Sequence, residues 1–154
     1  MRRLLASRVR RLVLVVPMFA GLGSVTTSAE LDPKAIAVTI PSDIKWVRGN
    51  GSESAVLVGD PAKPGLYVVL QKWLPHHNSH PHFHVNDRYI MVLSGTWWVN
   101  TGAKYDPEGM KPVPAGSFVT HFAKEIHYDG ARDAECILEI VGMGPATTTQ
   151  AEAK

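Results

Sequence analysis

The chain has 154 residues, 45% of them hydrophobic, a formal net charge of +2 and one cysteine. That length excludes two ordinary domains and suffices for one hydrophobic core. A lone cysteine excludes an internal disulfide framework.

The charge is unevenly distributed. Residues 1–29 hold five of the 16 basic residues and none of the 14 acidic ones. Arg2, Arg3, Arg8, Arg10 and Arg11 precede an apolar run at 12–22, and small residues follow, with Thr27 and Ala29 at cleavage-type positions. This is the pattern of a secretory signal peptide, with an apolar core too short to span a bilayer comfortably. It predicts a periplasmic or secreted protein with 11 basic against 14 acidic residues, a net of −3. That balance leaves no basic patch for nucleic acid and no stable membrane anchor.

From residue 30 the chain reads as short strands punctuated by turns. Strands are predicted at 55–58, 66–73, 82–93, 96–99, 117–122 and 135–141. Turn signals between them include Lys63-Pro64-Gly65, Ser94-Gly95, Asp106-Pro107 and Asp129-Gly130. No amphipathic helical period follows the leader, and 11 prolines with 13 glycines suit an all-β sandwich or barrel. Residues 104–111 read as an exposed loop and 145–154 as a frayed tail. One domain is expected over 30–154, with its core at about 44–145.

The chemistry concentrates in residues 80–95, HPHFHVNDRYIMVLSG. His80, His82 and His84 alternate, and alternate residues on a strand share a face. A strand here aims imidazoles into one cavity, and His127 follows a second strand-turn-strand pattern. By the same parity Arg88 lies on that face and Asp87 on the other. Such imidazoles bind Fe, Ni, Cu or Zn, and three of them leave coordination positions open. His80 is either a fourth ligand or a residue of the cavity mouth. His121 reads as a satisfied strand histidine, and Cys136 as a small core residue. Trp97 and Trp98 are consecutive, so one of them faces inward.

These residues resemble the two cupin motifs. His82, His84 and Gly95 fit the first, G-x5-H-x-H-x3-E-x6-G, and Gly116 and His127 fit the second, G-x5-P-x-G-x2-H-x3-N. The segments GDPAKPG, VLSGT, VPAGSF and GMGP resemble small single-domain cupins across roughly residues 44–145. The resemblance implies a cupin double-stranded β-helix, a jelly-roll-like barrel. It also implies one divalent transition metal, iron first and otherwise nickel, copper or zinc, held by His82, His84 and His127. Pairing of outer strands into a homodimer is a further implication.

The chain departs from the pattern at informative places. His76 stands where the first motif opens with glycine, and Phe122, Lys124 and Ala131 replace the proline, glycine and asparagine of the second. Arg88 takes the position of the glutamate that usually completes the metal site. A guanidinium buried beside a divalent ion is costly unless an anion is also present. Arg88 therefore holds a carboxylate or enolate oxygen of a small-molecule substrate, pairs with an internal acid, Glu125 or Asp129, or is turned outward by a bulge. The expected function is a metal-dependent enzyme, with dioxygenase-like or Lewis-acid isomerase or lyase chemistry. The alternative is a small-molecule or metal-binding protein without turnover.

Overall fold

The computed structural model describes residues 31–153, so the leader expected at 1–29 lies outside the described residues. Among the described residues the one helical element is a 3-10 turn at Pro41–Asp43, and every other regular element is a strand. In chain order these are β1 (Val47–Arg48), β2 (Ser52–Val58), β3 (Gly65–Trp73), β4 (His77–Asn78), β5 (His82–Phe83) and β6 (Arg88–Ser94). Then come β7 (Thr96–Thr101), β8 (Lys111–Pro114), β9 (Phe118–His121), β10 (His127–Ala131), β11 (Cys136–Gly144) and β12 (Thr149–Gln150). They form two antiparallel sheets, β1-β2-β3-β11-β6-β9 and β12-β5-β10-β7-β8, with β4 also paired to β10. This is the expected all-β jelly roll.

Side-chain alternation builds the interior. Along β11, Cys136, Leu138 and Ile140 are buried while Ile137, Glu139 and Val141 are only partly covered, the period-2 signature of a strand with one face on the core. They join Tyr67, Ile90, Val92 and the fully buried Trp97 in one cluster. Burying each large apolar side chain of this kind contributes about 1.5–3 kcal/mol. Cys136 is part of this packing: burial, with the Asp129 charge adding to it, pushes its thiol up to about 12. The thiol is therefore protonated and unreactive at neutral pH.

Three elements differ from the sequence expectation. The strand predicted at 82–93 is two strands, β5 and β6, in different sheets. The bend at 84–87 is held from outside: the Ala123 amide donates to Asp87 Oδ1 (2.7 Å), the Asn86 side-chain amide to the Met143 carbonyl (2.8 Å), and the Lys124 amide to the His84 carbonyl (2.7 Å). Asp129-Gly130, expected as a turn, lies inside β10. Glycine fits there because a Cβ at 130 would run into the His77 carbonyl where β4 crosses. The tail is not frayed throughout, since β12 pairs with β5.

Candidate metal centre

Two cross-strand pairs, one from each sheet, bring the site together. In the second sheet His82 of β5 faces His127 of β10. In the first, Arg88 of β6 faces His121 of β9. His84 follows β5 at the bend, and Asp129 lies two residues beyond His127, on the same side of β10. All four histidines and Asp129 are buried, at 6–8% exposure. His82, His84, His121 and Asp129 line, with Arg88, a cavity of about 260 Å³, to which Ile90, Trp97, Leu138 and Ile140 contribute apolar wall.

The three sequence-predicted ligands do converge. Ring centroids are 4.9 Å apart for His82–His84, 4.6 Å for His82–His127 and 5.1 Å for His84–His127. Their ligand atoms lie within 4.8 Å of one another. In each ring Nδ1 is bound to a backbone carbonyl: His82 to His80 (2.8 Å), His84 to Thr147 (2.7 Å) and His127 to Glu125 (3.0 Å). A carbonyl can only accept, so Nδ1 carries the proton and Nε2 keeps its lone pair. Backbone partners of this kind orient metal-binding imidazoles. Nε2 of His127 is buried and has no hydrogen-bond partner, which a bound ion would supply. The donor set therefore fits a divalent transition metal.

Burial disfavours the charged form of three of these imidazoles. Burial, then the nearby Arg88 charge, lowers the His84 imidazole to about 3. Burial followed by His127 lowers His121 to about 2. His127 is also lowered, by burial against the opposing pull of Asp129. Neutral rings with free lone pairs are what metal binding requires.

Arg88 enters the cavity, but not through the parity of one continuous strand. It opens β6 after the bend, and its Nη1 donates to His84 Nε2 at 2.5 Å. Its Nε is buried without a partner. Among the described residues it makes no ion pair, so neither Glu125 nor Asp129 neutralises it.

His80 does not join the cluster. Its half-exposed side chain bonds the Glu152 carboxylate at 2.8 Å and stacks on Tyr105 at 4.4 Å, on the rim. Asp87 is turned away, occupied by the bend. Of the two tryptophans, Trp97 faces inward, and Trp98 lies under Arg132 at 3.9 Å. His121, expected to be satisfied within a strand, instead lines the cavity with Nδ1 buried and unpartnered. Asp129 was hidden by the turn-like Asp-Gly pair; its shared parity with His127 would reveal it once 127–131 is read as a strand. Thr148 and Gln150 of the tail complete the wall.

No protein-family model matches the chain, and no curated protein sequence matches it. Solved structures do resemble it in fold. The polyketide cyclase RemF from Streptomyces resistomycificus aligns with a TM-score of 0.63 and 18% identity, over 77% of this chain and 87% of that one. A cupin-superfamily sugar phosphate isomerase from Silicibacter pomeroyi gives 0.55 and 20%, over 67% and 73%. A cupin-2 domain from Rhodospirillum rubrum gives 0.57 and 14%, over 77% and 81%. The fold is that of the cupins, and within it a group of three histidines is able to hold a metal ion. Structural neighbours include enzymes.

Proposed function

We propose that the protein is an exported, mononuclear metal-dependent cupin enzyme acting on a small anionic or enolisable substrate. His82, His84 and His127 are its metal ligands and Arg88 its substrate anchor. The observation that carries this reading is the set of three buried imidazoles, each with Nδ1 committed to a backbone carbonyl. When bound, iron in such a site offers positions for substrate and dioxygen together, and zinc or nickel offers Lewis acidity. We favour iron, and hence dioxygenase-type chemistry.

The chain's own residues define the rest. Arg88 is a partly buried cation that no acid among the described residues neutralises, so a carboxylate or enolate oxygen is the partner it lacks. Ile90, Trp97, Leu138 and Ile140 exclude water from the remainder of the ligand. The cyclase and isomerase activities named for two structural neighbours lend support at the level of fold only.

A second reading, a binding protein without turnover, is favoured by one observation. Arg88 donates into the lone pair of His84 that a metal would need. Metal content by plasma mass spectrometry separates the two. The enzyme reading expects about one ion per chain in the wild type, lost in His82→Ala and His127→Ala. Arg88→Ala should keep the ion and lose turnover or ligand binding. A wild type that holds no metal after reconstitution with iron, nickel, copper or zinc leaves only the binding protein.

We also propose that the chain is exported and that two copies pair. The leader-like composition of residues 1–29 supports cleavage before Glu30, which the mass of the exported protein tests. Exposed Tyr89, Met91, Phe118 and Met143 on the first sheet support pairing of two copies there. A sedimentation mass of one chain would overturn that pairing.

A further inference from the structure

The cavity contains a second set of ligand atoms that the three-histidine reading leaves unused. His121, His127 and Asp129 also bring one ligand atom each to within 4.8 Å of the others, and all three are buried. His121 and His127 are in close contact, with ring centroids 3.7 Å apart. The position is built rather than incidental. Asp129 Oδ1 accepts from Ser79 Oγ at 3.1 Å, and the Asp129 amide donates back to the same hydroxyl oxygen at 2.9 Å, which fixes the carboxylate. His121 Nδ1 and His127 Nε2 are both buried with no hydrogen-bond partner. Two unpartnered imidazole nitrogens beside a positioned carboxylate form a two-histidine, one-carboxylate donor set, suited to harder ions than three imidazoles alone.

The two sets share His127, and its Nδ1 proton is committed to the Glu125 carbonyl. Only Nε2 has a lone pair to give, so two ions cannot occupy both sets at once. The sets also differ in what already occupies them. Arg88 donates into His84 Nε2, a nitrogen of the first set. No hydrogen bond occupies His121 or the free nitrogen of His127 in the second. Asp129 further supplies the negative charge that is lost where arginine stands in place of glutamate.

We propose that this cavity offers one ion two alternative positions hinged on His127: three imidazoles (His82, His84, His127) for copper-like ions, and His121, His127 and Asp129 for harder ions such as Mn(II). The proposal rests on the metal-centre reading above and extends it to a different ligand set.

The test titrates Cu(II) alone and Mn(II) alone into the purified protein and into Asp129→Asn, His121→Gln, His84→Gln and His127→Gln. Mn(II) affinity should fall at least about tenfold in the Asp129 and His121 variants and stay within about twofold in the His84 variant. Cu(II) should show the reverse, and His127→Gln should weaken both. Loss of both ions in His84→Gln, with Asp129→Asn indifferent to either, overturns the second position while leaving the three-histidine site standing. A wild type that binds neither ion overturns the two-position proposal, and the three-histidine site then stands or falls on reconstitution with iron, nickel or zinc. Nitrogen couplings in the wild-type resonance spectra need no variant: two coordinated imidazoles on Mn(II) and three on Cu(II) are expected. Three on both ions would refute the proposal even if every variant misfolded.

Discussion

His76 and Lys124 hold φ angles of 64° and 67°, in the left-handed region that favours glycine. They occupy the two positions where the cupin motifs have glycine and this chain does not. The backbone at both positions takes the conformation that glycine adopts most easily, with a side chain attached. Each is held there by its own amide, His76 to the Arg132 carbonyl and Lys124 to the His84 carbonyl, both at 2.7 Å. A non-glycine residue in this region costs about 1–2 kcal/mol. Glycine removes that strain but gives up about 0.5–1 kcal/mol of chain entropy. Lys124→Gly should therefore stabilise the protein by about 0.5–1 kcal/mol in urea unfolding. A lower midpoint would show that the lysine side chain contributes more than its backbone strain removes.

At the scale of elements, the histidine alternation was legible and its continuation was not. His82 and His84 do converge with His127, because the H-x-H spacing survives a strand of only two residues. Arg88 reaches the same cavity although the strand breaks before it. The break depends on long-range partners of Asp87 and Asn86, at Ala123 and Met143, which no local pattern announces. The same limit hid the role of the tail. Thr147, whose carbonyl orients His84, lies 63 residues away in sequence, in a stretch whose threonines and alanines look unstructured. Ending the chain after Pro145 should reduce affinity for a histidine-bound ion about 10- to 100-fold through the loss of this partner. Metal titration of the shortened protein checks it; unchanged affinity would mean that His84 is oriented by the bend alone.

For the whole molecule, the buried imidazoles make folding sensitive to acid. In the unfolded chain His84 and His121 take up protons near the ordinary 6.5, whereas the folded protein holds them at about 3 and about 2. Their neutral burial is therefore tolerated without penalty above pH 6.5, and stability is lost progressively as pH falls below it. The metal-free protein should lose about 1.4 kcal/mol per pH unit for each of these two histidines between about pH 6 and pH 4. Urea midpoints across that range measure it, and a flat profile would place the rings in contact with solvent. The jelly roll itself was legible from turns, period-2 segments and the absence of a helical period. The partners of β10 and β12 were not, because sheet pairing is decided between segments distant in the chain.

The cavity's size has a consequence for how any ligand enters. A volume of about 260 Å³ has room for several water molecules. A molecule whose oxygen reaches Arg88 must displace most of that water, much of it from the walls formed by Ile90, Trp97, Leu138 and Ile140. Its association should therefore be accompanied by a negative heat-capacity change, visible as a binding enthalpy that grows more favourable on warming.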